Sequence, residues 1–338
     1  MQFLSDNTAP AAPEVMSALA AANQGMARAY GADEWSARLD AAFGRFFECE
    51  LRVFPVATGT AANSLALATI SPPWGAIYAT DVAHIVNDEC GAVELQSGGA
   101  RLVPLPSRHG KLDPATLARE LASRVESVHS LVSSALSLAT VTECGTLYTP
   151  GELQALASVA HAKGLPVHLD GARFANALAG QRLAPAALTW QAGIDVLSFG
   201  ATKNGALAAE AVVFFNLDLV RDFERRRKRA AQLFSKMRYP AVQLLACIEG
   251  DFFLANAARA NTLAARIGAA AGQHLLYPAE ANMVFLRLAD DQAASLRAQG
   301  FGFHPWGAPV DGHYRFVVSW DQPESDVDAL CEALRAWT

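Results

Sequence analysis

The chain has 338 residues, of which 52% are hydrophobic and 18% charged, with a net charge of −6. That much apolar material suits a large domain plus a smaller one and argues against global disorder. The mildly acidic balance gives no general pull toward nucleic acid or an anionic membrane, so neither is expected as a partner.

In chain order, the first 40 or so residues read as an arm that packs on the smaller domain or on another subunit. Short apolar runs then alternate with helix-length segments. Val53–Val56, Ala76–Ala79, Leu102–Leu105, Leu136–Val141, Val167–Leu169, Val196–Phe199 and Ala211–Phe215 read as strands. Amphipathic segments such as Pro114–Val125 and Pro150–Ala162 lie between them, each with Pro near the helix start, where a missing N–H costs little. The alternation predicts a mostly parallel, seven-stranded α/β sheet covered by helices on both faces.

After Phe215 the pattern changes. A charged helix is expected over about Leu217–Leu233, then apolar helices over Pro240–Leu254 and Ala257–Ala271. A small α+β domain follows, with strands at Met283–Leu288 and Tyr314–Val318 and helices at Gln292–Gln299 and Glu324–Trp337. The division predicted is 1–40 as N-terminal arm, 41–240 as large domain and 241–338 as small C-terminal domain. No apolar run reaches about 18 residues and the N-terminus lacks a basic region before an apolar stretch, so neither a membrane span nor a signal peptide is expected. Five widely spaced cysteines without a CxxC pair suggest no disulfide framework and no metal site, and fit a reducing cytoplasm.

Two strand ends carry the chemistry. Pro166-Val167-His168-Leu169-Asp170-Gly171-Ala172-Arg173 delivers an Asp at the C-terminal end of a short strand, the edge where open α/β sheets bind ligands. Val196-Leu197-Ser198-Phe199-Gly200-Ala201-Thr202-Lys203 ends a second strand in a small-residue turn and a Lys. Alone, Asp170 is a helix cap and Lys203 a solvated loop residue. Together at one sheet edge they suit pyridoxal 5′-phosphate (PLP): the Lys forms a Schiff base with the cofactor aldehyde, and the Asp keeps the pyridine nitrogen protonated. A third element, Pro55-Val56-Ala57-Thr58-Gly59-Thr60-Ala61-Ala62-Asn63, is a strand, a Thr58-Gly59-Thr60 turn and a helix start, suited to phosphate but weak by itself. No GxGxxG follows a strand and no P-loop is present. His84, within Thr80–Gly91, is placed to stack on a pyridine ring, although a lone His is more often a hydrogen-bonded structural residue.

With these elements in order, the chain resembles the threonine aldolase/β-eliminating lyase family of fold-type I PLP enzymes, and most of all its bacterial low-specificity L-threonine and phenylserine aldolases. Eight segments carry the resemblance: Phe3–Asn7, Arg28–Gly31, Thr58–Asn63, Ala83–Gly91, His168–Arg173, Phe199–Asn204, Ser235–Arg238 and Arg315–Trp320. The resemblance implies that Lys203 forms the Schiff base, His84 stacks on the ring, and Asp170 pairs with the pyridine nitrogen. Arg173 would lie near the phenolic oxygen and the substrate carboxylate. Thr58, Gly59, Thr60 and Thr202 would bind phosphate, and Ser5, Arg315 and Tyr30 would meet the substrate. Arg238 would reach the phosphate of a neighbouring subunit in a homotetramer built as a dimer of dimers, and one cation of the run Glu224–Arg229, Lys228 or Arg229, would be a second phosphate ligand. Some members place a His near the substrate hydroxyl where this chain has Glu143. His129 upstream is a substitute, so His84, His129, Glu89 and an ordered water all stand as candidate bases.

The expected reaction is retro-aldol Cα–Cβ cleavage of a β-hydroxy-α-amino acid to glycine and an aldehyde. Other PLP activities on this fold (a β-eliminating lyase, racemase or aminotransferase) share the Lys and Asp and remain open. A non-catalytic α/β protein that binds a phosphorylated ligand is a weaker alternative.

Overall fold

The structure is a computed structural model that describes residues 1–125 and 127–337, with Pro309 described by its backbone alone. In chain order it forms α1 (Pro13–Ala22), α2 (Glu34–Phe47), β1 (Arg52–Val56), α3 (Gly59–Ile70), β2 (Gly75–Thr80), α4 (His84–Asn87), α5 (Ala92–Ser97), β3 (Arg101–Leu105), α6 (Pro114–Ser123) and β4 (Val132–Ala139). There follow α7 (Pro150–His161), β5 (Val167–Gly171), α8 (Phe174–Gln181), β6 (Val196–Gly200), β7 (Glu210–Phe214), α9 (Phe223–Arg229), α10 (Arg238–Glu249) and α11 (Phe252–Ala271). The chain closes with β8 (Met283–Arg287), α12 (Asp290–Ala298), β9 (His304–Pro305), β10 (His313–Val317) and α13 (Glu324–Arg335).

The seven strands of the large sheet stand in the order β1-β7-β6-β5-β4-β2-β3. Every pair is parallel except those made by β7, which runs antiparallel to β1 and β6. Alternating side chains feed two cores. Tyr78, Leu136, Leu138, Leu169, Leu197 and Phe199 face α2, α7, α8 and α10, whereas Phe54, Ile77, Ala135, Val196, Val212 and Phe214 face α3, α5 and α9. Local sequence sets the helix starts. Asp113 caps α6 and Thr149 with Glu152 forms a capping box on α7, each satisfying N–H groups left over in the first turn.

The second sheet is small and antiparallel, in the order β8-β10-β9. Its core includes the N-terminal Phe3, which lies against Phe301 and Phe316. The backbone around Phe3 is tied by Phe3 N–H to Gly302 C=O at 2.8 Å and by Val317 N–H to Phe3 C=O at 2.9 Å.

Several boundaries differ from the expectation. β4 begins four residues before Leu136 because Val132 and Ser133 pair with Gly75 and Ala76. The charged helix does not run from 217 to 233. Asp222 and Ala231 adopt left-handed backbone (φ +60° and +59°), which ends a helix on either side of a short α9. The apolar helices part at Gly250–Asp251, with a 70° bend, rather than near residue 255. The cuts at 40 and 240 fall inside α2 and α10, so we propose moving each to the end of its helix. No single helix among the described residues is long and apolar enough to cross a membrane.

Candidate active site

The C-terminal ends of the parallel strands converge on a cavity of about 300 Å³. β5 delivers Asp170, and β6 delivers Gly200 and the turn to Lys203. The approach between them is close. A Cβ on Gly200 would lie 2.6 Å from the Ala172 backbone, so only glycine lets the two strand ends meet this way. β7 enters from the same edge with Glu210, whose Cα pairs with those of Gly200 and Val56. Two residues before Asp170, His168 is buried between Ser137 Oγ and Ser198 Oγ, at 2.9 Å each. Burial pushes this imidazole down to about 4. It is therefore neutral near pH 7, and it ties β4, β5 and β6 together beneath the site.

Asp170 is held on both oxygens: Ala172 N–H donates to Oδ1 at 2.9 Å and Asn63 Nδ2 to Oδ2 at 2.8 Å. Burial would raise its pKa, but the Ala172 N–H and the charges of His84 and Lys203 outweigh it, and the carboxyl lies below its ordinary range. Lys203 is also lowered, by burial first and by Arg173, while Asp6, Asp170 and Glu210 oppose the shift. His84 Nδ1 meets Glu89 Oε1 at 2.8 Å, and this bond chiefly raises the imidazole pKa. Asn63 also donates to Glu89 at 2.8 Å, so one amide joins the Glu89–His84 pair to Asp170.

At the start of α3, the Thr58 side chain accepts from Ala61 N–H and the Thr58 carbonyl from Ala62 N–H. The N–H groups of Gly59 and Thr60 are thus the first-turn donors left for a ligand, and both residues line the cavity. A Cβ on Gly59 would meet nothing within 4 Å, which leaves open space over the turn.

Of the residues singled out from sequence, Lys203, Asp170, His84, Glu89, Thr58, Gly59, Thr60, Thr202 and Arg173 line this one cavity. Arg173 grips Asp6, with Nε to Oδ2 at 2.7 Å and Nη2 to Oδ1 at 3.0 Å. Ser5 caps the turn that carries Asp6, accepting from Asn7 N–H at 3.1 Å. Arg315 on β10 lies behind this pair. Its guanidinium is 5.9 Å from the Trp306 ring centroid, its Nε is buried without a hydrogen-bond partner, and burial and the Arg173 charge lower its pKa.

His129 is a correction. It is exposed in the loop before β4, whereas the site lies beyond that strand's other end. Eight strand residues separate the two edges, about 25 Å of extended chain, so His129 is no base for this cavity. Tyr30, Lys228 and Arg238 also lie outside it. Lys228 Nζ sits 4.5 Å over the Tyr30 ring, and Arg238 donates to Gly25 C=O at 3.2 Å and stacks 5.0 Å from Tyr239. The run Glu224–Arg229 is not wholly a solvated face, since Arg227 is buried over Phe54.

Four polar cavity residues escaped the sequence reading of roles: Asn7, Asn63, Glu143 and Glu210. So did Asp6, which pairs with the cavity residue Arg173. Asn63 had a usable signal, one helical turn beyond Gly59 on the same face of α3. Glu210 had a fainter one, as a lone carboxylate at the head of an apolar strand. It is buried, its Oε1 accepts from Thr202 N–H at 3.3 Å, and burial raises it to about 7.

Comparison with known proteins gives a consistent picture. The beta-eliminating lyase family model matches residues 2–291. The chain is 41% identical to the low specificity L-threonine aldolase of Pseudomonas aeruginosa, over 99% of this chain and 96% of that one. It is likewise 41% identical to the low specificity L-threonine aldolase of a Pseudomonas species, over 99% and 97%. The solved structure of Leishmania major threonine aldolase superposes with a TM-score of 0.93 at 27% identity, covering 99% of each chain.

Proposed function

The chain belongs to the beta-eliminating lyase family, and from that membership we propose that it is a PLP-dependent aldolase cleaving L-threonine, L-allo-threonine and related β-hydroxy-α-amino acids, phenylserine among them, to glycine and an aldehyde. Its fold is that of the fold-type I PLP enzymes. The observation that carries the reading is the meeting of half-buried Lys203 and buried Asp170 in one cavity, at the ends of paired strands.

The residues fit the cofactor. Asp170, accepting hydrogen bonds on both oxygens and lowered in pKa, is an anion fit to keep a pyridine nitrogen protonated. The free N–H groups of Gly59 and Thr60, with the Thr58 and Thr202 hydroxyls, are donors for a phosphate. Bound PLP supplies an aldehyde for the Lys203 amine and the substrate amine, and a ring that accepts the electron pair released at Cα. The lowered pKa of Lys203 increases the neutral fraction of its amine, the form that attacks a carbonyl. His84, fixed by Glu89, is the group to lie on the ring. Arg173 and Arg315, with Ser5 beside them, are the groups to hold the substrate carboxylate. A guanidinium grips a carboxylate at two points, which fixes rotation about Cα and so selects the bond aligned for cleavage.

We further propose a cytoplasmic homotetramer, a dimer of dimers with its sites at subunit interfaces. Tyr30, Lys228 and Arg238 would then serve a neighbour's cavity. Their position outside this chain's own cavity supports that reading.

The test is a retro-aldol assay on L-threonine, L-allo-threonine and both phenylserine diastereomers, with glycine and aldehyde quantified. The expected result is equimolar glycine and aldehyde from at least one of them, dependent on PLP. PLP-loaded protein that cleaves none of them would overturn the proposal.

A further inference from the structure

We infer that Glu143 is the base that takes the proton of the substrate's β-hydroxyl, an inference that rests on the aldolase reading above. Glu143 stands just beyond the C-terminal end of β4 in a tight turn. Gly145 N–H donates to Thr142 C=O at 2.9 Å, and the Thr142 and Thr146 hydroxyls meet at 2.8 Å. Gly145 has φ +79°, and a Cβ there would crowd Met283 C=O at 3.1 Å, so the turn is shaped around glycine.

The side chain lines the same cavity as Lys203, Asp170 and His84. Its Oε1 is committed, accepting from the His84 backbone N–H at 2.8 Å. Its Oε2 is buried and has no hydrogen-bond partner among the described residues. A buried carboxylate oxygen left unsatisfied costs free energy, and a ligand hydroxyl entering the cavity supplies the missing donor. The hydrogen bond from His84 fixes the carboxylate beside the group assigned to the ring face.

The other candidate bases are less suited. His84 spends Nδ1 on Glu89. Glu89 has one oxygen unpartnered as well, but its other oxygen holds both His84 and Asn63, so it acts as a bracket for those two groups. His129 is at the wrong edge of the sheet. Glu143 faces His84 and Asp170 across the cavity, with Cys144 and Tyr148 among its neighbours. Burial raises its pKa to about 7, with Asp170 adding to the rise and hydrogen bonding to the His84 N–H opposing it. A base poised near neutrality exists in both forms where the enzyme works.

The step balances. The hydroxyl O–H bond breaks and its proton passes to Glu143 Oε2, while its electron pair becomes the second C–O bond of the aldehyde. The Cα–Cβ pair stays with Cα, which then takes up one proton to give glycine, so the reaction is proton-neutral.

The experiment compares PLP-loaded wild type with Glu143→Gln, which keeps the side chain's shape, and with Glu143→Asp. It reads L-threonine cleavage against pH, the cofactor absorbance, and exchange of the glycine α-hydrogen in heavy water, a reaction at the same site that involves no hydroxyl. Glu143→Gln is expected to lower cleavage by about 10²–10⁴-fold, the usual weight of a general base. Absorbance is expected to be unchanged and glycine exchange to stay within about threefold. Wild-type kcat/KM should rise with pH through about 7, a limb absent in Glu143→Gln, and Glu143→Asp should recover part of the cleavage. Cleavage retained in Glu143→Gln, or a fall in glycine exchange as large as the fall in cleavage, would overturn the assignment. A wild type that exchanges glycine but cleaves no β-hydroxy amino acid is a different result, which overturns the aldolase reading.

Discussion

Lys203 and Tyr30 are held in opposite ways. Lys203 is half-buried at a sheet edge and surrounded by Asp6, Asp170, Arg173 and Glu210, on a turn anchored by Asn204 Nδ2 to Phe253 C=O. Tyr30 is 54% exposed in left-handed backbone (φ +56°), with its ring against Lys228 and one backbone hydrogen bond to Ser235. The first set is positioned from several sides by this chain. The second, which includes Arg238, is held by a few contacts near the surface: Arg238 donates to Gly25 C=O and Tyr239 Oη and lies over the Tyr239 ring. On the proposed tetramer, the difference would mean that one chain completes the acid–base side of the site and leaves part of the phosphate side to a neighbour.

The largest expected effect breaks the inner set. Lys203→Ala should abolish the absorbance of lysine-linked PLP near roughly 420 nm and lower turnover by about 10³-fold or more. Retention of both would remove Lys203 from the chemistry. Next, Asp170→Ala should lower kcat by about 10²–10³-fold, as loss of one preorganised electrostatic partner does. Assaying kcat with saturating PLP separates this from lost cofactor.

The outer set is tested by Arg238→Ala. Loss of a charge-assisted hydrogen bond, about 1.5–3 kcal/mol, corresponds to a roughly 10- to 150-fold weaker PLP Kd. Titration of the apoprotein with PLP reads it, and an unchanged Kd would mean that the outer cluster has no part in the site.

The smallest effect concerns stability. Glu210 has a folded-state pKa raised to about 7 from an ordinary 4.5, so the folded state binds its proton more tightly than the unfolded state does. Its contribution is fully present below about 4.5 and is lost as pH rises through about 7. Glu210→Gln carries no such loss. In the apoprotein it should gain on wild type between pH 5 and pH 8, by on the order of 1–3 kcal/mol. Thermal melts at both pH values check the sign, and a variant that loses ground to wild type as pH rises from 5 to 8 would contradict it.

Much of this architecture was legible along the chain. Short apolar runs marked six of the seven large-sheet strands to within a residue or two at each end, because alternation and turn chemistry act over a few residues. β4 was the exception at its start, at Val132 rather than Leu136, because its first residues pair with β2 and carry little apolar signal. β9 was not anticipated either, since two residues leave no periodicity to read. The charged run misled in the other direction. Helix propensity favoured one long helix, and two left-handed residues cut it to seven residues.

The sequence by itself determined that Asp170 and Lys203 end consecutive strands, and that a Thr-Gly-Thr turn opens a helix. Those are local facts, set by neighbours in the chain. Only the tertiary structure decided that His129 belongs to the far edge. It alone brought Asn63 between Asp170 and Glu89, opened Glu210 onto the Lys203 turn, and set Glu143 beneath the His84 backbone with one oxygen free. Two of the hydrogen bonds that define those relations, Asn63 to Asp170 and His84 N–H to Glu143, span 107 and 59 residues of chain. They depend on strand order and on which strand ends share an edge, which no short-range pattern encodes.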